Sequence, residues 1–260
     1  MLYNRNNYSE VSVILVRMSD FHADSNTHNR KAGVGMGHFK YETHLHTKEA
    51  SACALVSGAE QARFFKEAGY AGIIVTDHFF NGNSCIPRNL PWEERVDLFC
   101  RGYENAKQEG DRIGLSVFFG WEANYRCTEF LIYGLDKDWL KSHPDMLSWT
   151  IEEQYRRVHE DGGYVVHAHP FRMRPYIPEI RLFPEAVDAV EVINVGNHDP
   201  EFDIQASEYA KKHNLPETAG TDAHGHELSH SGLVFEHKME SIRDYIENIK
   251  SGNYELIRIR

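Results

Sequence analysis

Two histidines separated by one residue, His44 and His46, are the clearest sign of chemistry in this sequence. They end a short run of strand-forming residues, Phe39 to Thr43. In an extended strand alternate side chains share one face, so both imidazoles would point towards the same place. Imidazole is a common ligand of transition-metal ions such as zinc and iron. The pair therefore favours a metal site, although two solvated histidines on a polar strand face would give the same pattern.

Further groups that can bind cations follow at the ends of later predicted strands. They are Asp77 with His78, Glu122, His167 with His169, Glu191 with Asn194, and Asp222 with His224. Each has an ordinary explanation when taken alone, since an aspartate can cap a helix and a polar residue before proline can lie in a turn. Their recurrence at one strand end after another predicts a site that holds several metal ions.

Strands and helices alternate along the chain from about residue 39. Seven main strands are predicted, at 39–43, 71–76, 115–121, 129–134, 164–166, 189–193 and 217–221. Helices separate most of them, and the first is the easiest to place, because Ser57 and Glu60 form a capping box before apolar residues at helical spacing. This alternation favours an α/β fold with a parallel sheet, closed or nearly closed into a barrel. In such barrels the chemistry lies at the carboxyl ends of the strands.

Residues 1–38 differ from the rest in composition. Asn, Ser, His and Gly are frequent there, and Gly33, Gly35 and Gly37 follow one another closely. Such a segment is typical of a flexible lead-in. We predict a flexible N-terminal extension over 1–38 and a single barrel domain over 39–260. A short added strand or an interface arm is the alternative for the extension.

The order of the motifs resembles that of the PHP (polymerase and histidinol phosphatase) family. The resemblance runs from about Tyr41 to Gly232 and rests on five motifs: H-x-H-T at 44–47, T-D-H at 76–78, G-x-E at 120–122, H-P at 169–170 and T-D-A-H at 221–224. It implies a distorted (β/α)7 TIM-like barrel. It also implies two or three divalent metal ions, Zn, Mn or Fe, and the hydrolysis of phosphate esters.

Carried over position by position, the resemblance implies seven metal ligands. One ion would bind His44, His46, Glu122 and Asp222, a second would bind Glu122 and His169, and a third would bind His78 and His224.

Two regions depart from the family pattern. The fourth strand lacks a histidine that many members use, which leaves Glu129 either as a substitute ligand or as a solvated residue. After the first motif, Glu49 and Cys53 are rival candidates for a further ligand of the third ion, and Cys53 also suits a small buried apolar position.

Closely spaced cations would lower the pKa of a bridging water and bind phosphoryl oxygens, so hydrolysis would use a metal-bridging hydroxide. Glu122 suits the bridging role, because one carboxylate can bind an ion through each oxygen. Asp77 is predicted to be catalytic, either by orienting the neighbouring histidine or by accepting a proton. Arg172 is predicted to grip the phosphate through two N–H groups, with a surface salt bridge as the alternative. Arg174 and Arg88 are weaker candidates for that role.

The composition narrows the range of partners. Among 260 residues, 28 are Lys or Arg and 39 are Asp or Glu, which gives a formal net charge of −11. This balance disfavours a long nucleic acid or an anionic membrane as partner. No apolar run is long enough to span a membrane. The four cysteines include no C-x-x-C pair, so reduced thiols and a cytoplasmic location are predicted. The oligomeric state stays open.

The leading prediction is a metal-dependent phosphoesterase that hydrolyses a small phosphate monoester, such as histidinol phosphate or a nucleotide-like molecule. A phosphodiesterase or exonuclease that acts on short oligonucleotides is one alternative. An amidohydrolase is another, because that class also uses an H-x-H motif on its first barrel strand, but its usual bridging lysine is not evident. A metal-binding regulatory module without turnover is the alternative outside enzymes.

Overall fold

The computed structural model describes residues 13–17, 38–226 and 230–259. The strands in this part of the chain are β1 (Val13–Arg17), β2 (Phe39–Leu45), β3 (Gly72–Val75), β4 (Ser116–Tyr125), β5 (Thr128–Tyr133), β6 (Tyr164–Ala168), β7 (Ala189–Asn194), β8 (Glu217–Gly220), β9 (Gly232–Phe235) and β10 (Glu255–Ile259). The helices are α1 (Gly58–Glu67), α2 (Trp92–Phe99), α3 (Arg101–Ile113), α4 (Lys137–Ser142), α5 (Ile151–Glu160), α6 (Pro200–His213) and α7 (Ile242–Ser251). In the same part of the chain, no helix is long and apolar enough to cross a membrane.

The strands form one sheet in the order β1-β10-β9-β2-β3-β4-β5-β6-β7-β8. The chain just after β8 returns to β2, because Asp222 N donates to His44 O at 2.8 Å and His46 N donates to Ala223 O at 2.9 Å. The sheet from β2 to β8 is therefore nearly closed. The predicted α/β barrel is confirmed, and its seven predicted strands correspond to β2–β8.

One strand of the barrel runs against the others. β5 pairs antiparallel with both β4 and β6. Arg126 and Cys127, which join β4 to β5, have φ angles of 51° and 69°. Two successive positive φ angles are typical of a two-residue type I′ hairpin, usually built from Asn and Gly. The parallel sheet predicted from sequence is therefore wrong at this strand. The first residues of β5 lie at the end of the barrel where β4 ends.

Three strands extend the sheet beyond the barrel. β9 pairs antiparallel with β2 and β10, and β10 pairs antiparallel with β1. Both β9 and β10 lie outside the seven main strands predicted from sequence. β1 lies within residues 1–38, and the rest of that predicted extension, apart from His38, falls outside the described residues. Its flexibility stays a prediction.

The helices cover the outside of the barrel. The predicted capping box of α1 is present, since Ser57 N donates to Glu60 Oε2 at 2.8 Å. α2 and α3 follow one another directly along the chain and meet at Cys100. α1 and α3 approach closely at two glycines, because a Cβ on Gly58 would lie only 1.9 Å from Gly102 O.

Candidate metal centre

The ends of five strands bring the predicted ligands to one end of the barrel. All seven, together with Glu129, fall into four overlapping groups, and within each group the candidate ligand atoms lie within 4.8 Å of one another. The groups are His44/His46/Glu122, His44/His169/Asp222, His78/Glu122/Glu129 and His46/His78/His224.

His44 and His46 turn the same ring nitrogen towards the centre of the site. Nδ1 of His44 lies 2.9 Å from Glu191 Oε1, and Nδ1 of His46 lies 3.2 Å from Ser51 Oγ. Both partners can accept a hydrogen bond from Nδ1–H, which leaves each Nε2 available to bind a metal ion. The two Nε2 atoms are 3.2 Å apart. Two lone pairs at that distance repel each other unless a proton or a metal ion lies between them.

Buried carboxylates complete this group. Oδ1 of Asp222 lies 2.9 Å from His46 Nε2, and Oε1 of Glu122 lies 3.3 Å from His44 Nε2. Both carboxylates are buried, and the oxygens Glu122 Oε2 and Asp222 Oδ1 lie 2.5 Å from His78 Nδ1 and 2.9 Å from His46 Nε2. Such oxygens cost free energy unless an opposite charge compensates them. The converging imidazole nitrogens and carboxylate oxygens fit a divalent transition-metal ion.

The electrostatics of the group also favour a cation. Burial lowers the pKa of His44, but the carboxylates of Glu191 and Asp222 outweigh it and raise that pKa well above its usual value. Burial raises the pKa of Glu122, but His78 and His44 lower it well below its usual value. The site therefore keeps carboxylates ionised in a buried place and attracts positive charge to them.

His169 lies on the other side of Glu122. Its Nε2 is 3.2 Å from Glu122 Oε1 and 3.6 Å from Glu129 Oε2. Glu129 is held there by Asn124, whose Nδ2 donates to Glu129 Oε1 at 2.9 Å. Burial and the nearby Glu122 raise the pKa of Glu129. The hairpin thus places Glu129, which the sequence left open, among the candidate ligands.

Two of the candidate ligands have unusual backbone conformations. φ is 28° at His169 and 57° at Asp222. Positive φ is uncommon for residues other than glycine, and such strain is concentrated at functional sites.

A third group lies towards the surface. The ring of His46 is 4.1 Å from that of His78 and 4.3 Å from that of His224 between centroids. Burial raises the pKa of the Cys53 thiol, but the neighbouring His224 and His78 outweigh this effect and lower that pKa to about 6.

Glu49, the rival of Cys53, is engaged elsewhere. Its carboxylate accepts hydrogen bonds from Gly58 N at 3.2 Å and from Asn105 Nδ2 at 2.9 Å. These contacts tie Glu49 to the start of α1 and to α3. The structure thus places Cys53, rather than Glu49, beside His78 and His224.

Asp77 is buried beside the centre and contacts Thr47 and Ser51. Thr47 N and Ser51 Oγ each donate to Asp77 Oδ1 at 2.6 Å, and Thr47 Oγ1 donates to Oδ2 at 2.6 Å. Because Ser51 also accepts from His46, the ring that Asp77 orients is that of His46, through Ser51, rather than that of its neighbour His78. Burial raises the pKa of Asp77 to about 6. Its role as a proton acceptor stays a prediction.

Arg172 holds a candidate metal ligand. Its three nitrogens donate to Asp222 Oδ2 at 2.6 Å, Asn194 Oδ1 at 2.6 Å and Asn197 Oδ1 at 2.9 Å. The phosphate grip predicted from sequence would have to use the remaining N–H groups. In the structure, Arg172 forms an ion pair with Asp222.

Comparison with solved structures reveals the same architecture in other proteins. A two-domain protein from Bacteroides vulgatus that contains a predicted PHP-like metal-dependent phosphoesterase matches with a TM-score of 0.59 and 13% identity, over 88% of this chain and 68% of its own. A protein from Bifidobacterium adolescentis, proposed to be a metal-dependent phosphoesterase, matches with a TM-score of 0.54 and 16% identity, over 83% of this chain and 96% of its own. The chain has a PHP-like fold.

The PHP-like barrel also has a neighbour of another class. An amidohydrolase from Chromobacterium violaceum, with bound sulfate and no metal, matches with a TM-score of 0.50 and 14% identity, over 72% of this chain and 88% of its own. No protein-family model and no curated protein matches the chain. At these identities the likeness is one of fold.

A cavity of about 380 Å³ opens on this PHP-like barrel beside Asp222 and His224. Its lining consists of Arg172, Arg174, Val195, Gly196, His198, Thr221, Asp222, Ala223 and His224. Arg174 is partly buried, and one of its amino groups donates to Gly196 O at 2.7 Å. The cavity thus borders two of the candidate ligands and has two guanidinium groups in its wall.

Sequence reasoning missed the roles of several residues that hold the ligands in place. Glu191 and Asn194 appeared only as strand-end groups, and Ser51 did not appear. No local pattern marks them, because a buried glutamate on β7 and a serine in a loop acquire these contacts only when the barrel closes.

Proposed function

We propose that this chain is a metal-dependent phosphoesterase that hydrolyses small phosphate monoesters. The proposal rests on one observation. The Nε2 atoms of His44 and His46 lie beside each other and beside the buried carboxylates of Glu122 and Asp222. We infer that the four ligand groups bind two or three divalent ions, zinc, manganese or iron, since imidazole and carboxylate ligands suit these metals.

Bound divalent ions would supply a nucleophile from water at neutral pH and offset the charge on the phosphoryl group. The residues of the chain contribute by fixing geometry. Glu191 and Ser51 hold the rings of His44 and His46, and Arg172 holds Asp222. Fixed ligands keep the charges in place before the substrate arrives, which is the main source of electrostatic catalysis.

The cavity supports a small substrate. Its volume of about 380 Å³ lies in the range of small-molecule sites, roughly 300–1,000 Å³. Asp222, the carboxylate in the wall of the cavity, is already paired with Arg172. The charge of Arg174 is therefore not balanced by Asp222, and the wall is positively charged. Together with a net charge of −11 for the chain, this favours a small phosphorylated molecule over a long nucleic acid.

We also propose a cytoplasmic location. All four cysteines are free, and Cys85 is exposed. Free and exposed thiols suit a reducing compartment.

The proposal is tested by a substrate panel with matched variants. Purified protein is loaded with Mn²⁺, Zn²⁺ or Fe²⁺ and assayed on an aryl phosphate, histidinol phosphate, an aryl phosphodiester and a peptide-like amide. Substitution of groups that only orient ligands costs about 10–100-fold, so Glu122→Gln is expected to lower monoester turnover by at least about 100-fold. Glu152→Gln, on the exposed face of α5, is the control and should keep native turnover.

The other outcomes contradict the proposal in distinct ways. A preference for the diester would indicate a phosphodiesterase, and activity on the amide alone would indicate an amidohydrolase. Full metal loading without any turnover would indicate a regulatory module.

A further inference from the structure

The cavity beside the candidate metal centre is lined by two sets of polar side chains. Asp222 and His224 are candidate metal ligands. Arg174 and His198 line the same cavity but belong to none of the four ligand groups. Sites with a volume of about 380 Å³ hold whole small molecules rather than a phosphoryl group alone. The cavity therefore has room, beyond the candidate ions, for the rest of a substrate.

The two arginines in the lining differ in how their charge is balanced. The side-chain nitrogens of Arg172 donate to side chains of the protein, and Asp222 balances its charge at 2.6 Å. Arg174 donates to the backbone oxygen of Gly196 at 2.7 Å. In the described part of the chain, no ion pair joins Arg174 to a carboxylate. A guanidinium group that lines a cavity without a counter-charge is suited to bind an anion.

Gly196 relates the position of Arg174 to that of the candidate ions. A Cβ on Gly196 would lie 3.1 Å from Arg172 Nη2 and 3.2 Å from Asp222 Oδ2, whereas Arg174 contacts the carbonyl oxygen of the same glycine. The two guanidinium groups thus approach different sides of one residue. A phosphoryl group beside Asp222 and an acidic group beside Arg174 can therefore belong to one small molecule.

His198 lies next to Arg174 along the lining. It directly follows the short turn Val195–Asn197, which contains the Gly196 that Arg174 contacts. The φ angle of His198 is 59°. Such a conformation is uncommon for residues other than glycine and is concentrated at functional sites. An imidazole N–H at this place adds a second donor to that of the guanidinium group.

We propose that the substrate carries a second acidic group, a carboxylate or a second phosphate, and that Arg174 binds this group while the candidate metal centre holds the phosphoryl group to be hydrolysed. His198 contributes a further N–H donor to the same acidic group. Arg174 is then a specificity-determining residue and not a second grip on the reacting phosphate. The inference deepens the proposed phosphoesterase function and rests on it for the binding of the phosphoryl group.

Three monoesters with the same four-carbon chain test the second acidic group. Butyl phosphate has no further charge, 4-phosphonooxybutanoate carries a carboxylate, and butane-1,4-diol bisphosphate carries a second phosphate. A hydrogen bond between charged groups is worth enough to raise kcat/KM by at least about 10-fold. We expect this preference over butyl phosphate for at least one of the two acidic esters, mainly through a lower KM. The preferred ester identifies the acidic group.

Variants assign the preference to its residues. Arg174→Gln is expected to remove most of the preference over butyl phosphate. His198→Asn, which keeps a residue that tolerates positive φ, should weaken it by a smaller factor. Arg156→Gln is the matched control, because Arg156 lies on α5 and pairs with Glu160 at 2.6 Å, and it should keep the native preference. A ratio between substrates on one protein is insensitive to a general loss of folded or metal-loaded enzyme.

The outcomes separate this inference from the proposed function. Equal kcat/KM for the three esters, or a preference that survives in Arg174→Gln, would overturn the inference even though a monoester is hydrolysed. An equal loss on all three esters in Arg174→Gln would assign the arginine to the reacting phosphate and would also overturn it.

Binding provides a readout that does not need turnover. In the phosphonate counterparts of the three esters a methylene group replaces each ester oxygen, and their affinities for the metal-loaded protein are measured by calorimetry. The same preference, lost in Arg174→Gln, is expected. If this preference is found in a protein that hydrolyses none of the esters, the acidic-group site is upheld and the proposed function is refuted. Equal affinities for the three phosphonates would overturn the inference.

Discussion

At the scale of single residues, the candidate site contains atoms that face its centre and side chains that hold those atoms in place. Glu191 and Ser51 each engage Nδ1 of a histidine and so leave Nε2 available. Arg172 engages the outer oxygen of Asp222 and leaves the inner one directed at His46. The supporting residues are as buried as the candidate ligands, so we expect their substitution to lower metal affinity.

Glu191→Gln tests this division. The amide keeps the size of the side chain but loses the negative charge that Glu191 directs at His44 Nδ1. We expect affinity for the most tightly bound ion to fall by about 10–100-fold, measured by competition with a chelator. Glu217→Gln, at the start of the neighbouring strand β8, is the control and should leave metal affinity unchanged. Native affinity in Glu191→Gln would refute the orienting role.

Arg172→Lys separates two roles for the arginine. A lysine cannot reproduce the contacts to Asp222, Asn194 and Asn197 together, since it has one nitrogen in place of three. We expect metal affinity and kcat to fall by about 10-fold or more, with a smaller change in KM. If KM rises while metal affinity stays native, Arg172 grips the phosphate instead.

The candidate ligands could be named from sequence, but their geometry could not be predicted. His44, His46 and Asp222 lie in short motifs whose order along the chain carries the information. Glu129 and Cys53 stayed open, because their contacts with the other candidate ligands depend on a hairpin and a turn that have no local signal. The orienting contacts of Glu191 need the closed barrel and are invisible in any window of sequence.

At the scale of elements, α3 packs closely against the side chain of Asp77. A Cβ on Gly102 of α3 would lie 2.0 Å from Thr47 Oγ1 and 2.8 Å from Asp77 Oδ2. The glycine thus lets the helix approach the hydrogen-bonded pair of Thr47 and Asp77. A chain of contacts thus connects α3 to the candidate metal site. α3 packs against Thr47 and Asp77, Asp77 accepts a hydrogen bond from Ser51, and Ser51 contacts His46.

Gly102→Ala should disturb this contact. The added methyl group forces Thr47 and Asp77 to shift, so we expect a loss of about 1–3 kcal/mol in the free energy of unfolding, measured with urea. Metal affinity should fall as well, because the shift reaches His46 through Ser51. Gly82→Ala is the control, since its nearest atoms would lie at an ordinary 3.4 Å. Equal effects of the two substitutions would contradict the contact.

The elements that sequence predicted best were those with a strong local pattern. Ser57 and Glu60 marked the start of α1, and the unbroken apolar run before Thr76 marked β3. The direction of β5 could not be predicted, because Arg126 and Cys127 are unusual residues for a type I′ turn. The surrounding β4 and β6 impose that turn.

At the scale of the whole molecule, the candidate site spans the seam of the barrel, the place where the chain after β8 returns to β2. His44 and His46 belong to the end of β2, Glu122 to β4 and Asp222 to the segment after β8. Glu42 spans the same seam, because its Oε1 accepts from His44 N at 2.7 Å and from Thr221 N at 2.9 Å. A bound ion would link these strands, and it can do so only in the folded state, where they lie together.

Removal of metal should therefore destabilise the fold. A ligand present at 100 times its Kd stabilises the folded state by about 2.7 kcal/mol. We expect a chelator to lower the Tm of the native protein and added Zn²⁺ or Mn²⁺ to restore it, as measured by calorimetry. Glu122→Gln should show a much smaller shift. A Tm that is independent of metal in the native protein would show that the seam closes without ions.

The most direct test of the central claim is anomalous diffraction from crystals grown with Zn²⁺ or Mn²⁺. The account predicts a strong peak among His44 Nε2, His46 Nε2, Glu122 and Asp222, with at least one further peak on the far side of the Glu122 carboxylate. Fully occupied crystals with peaks only elsewhere on the molecule, or with none, would contradict it.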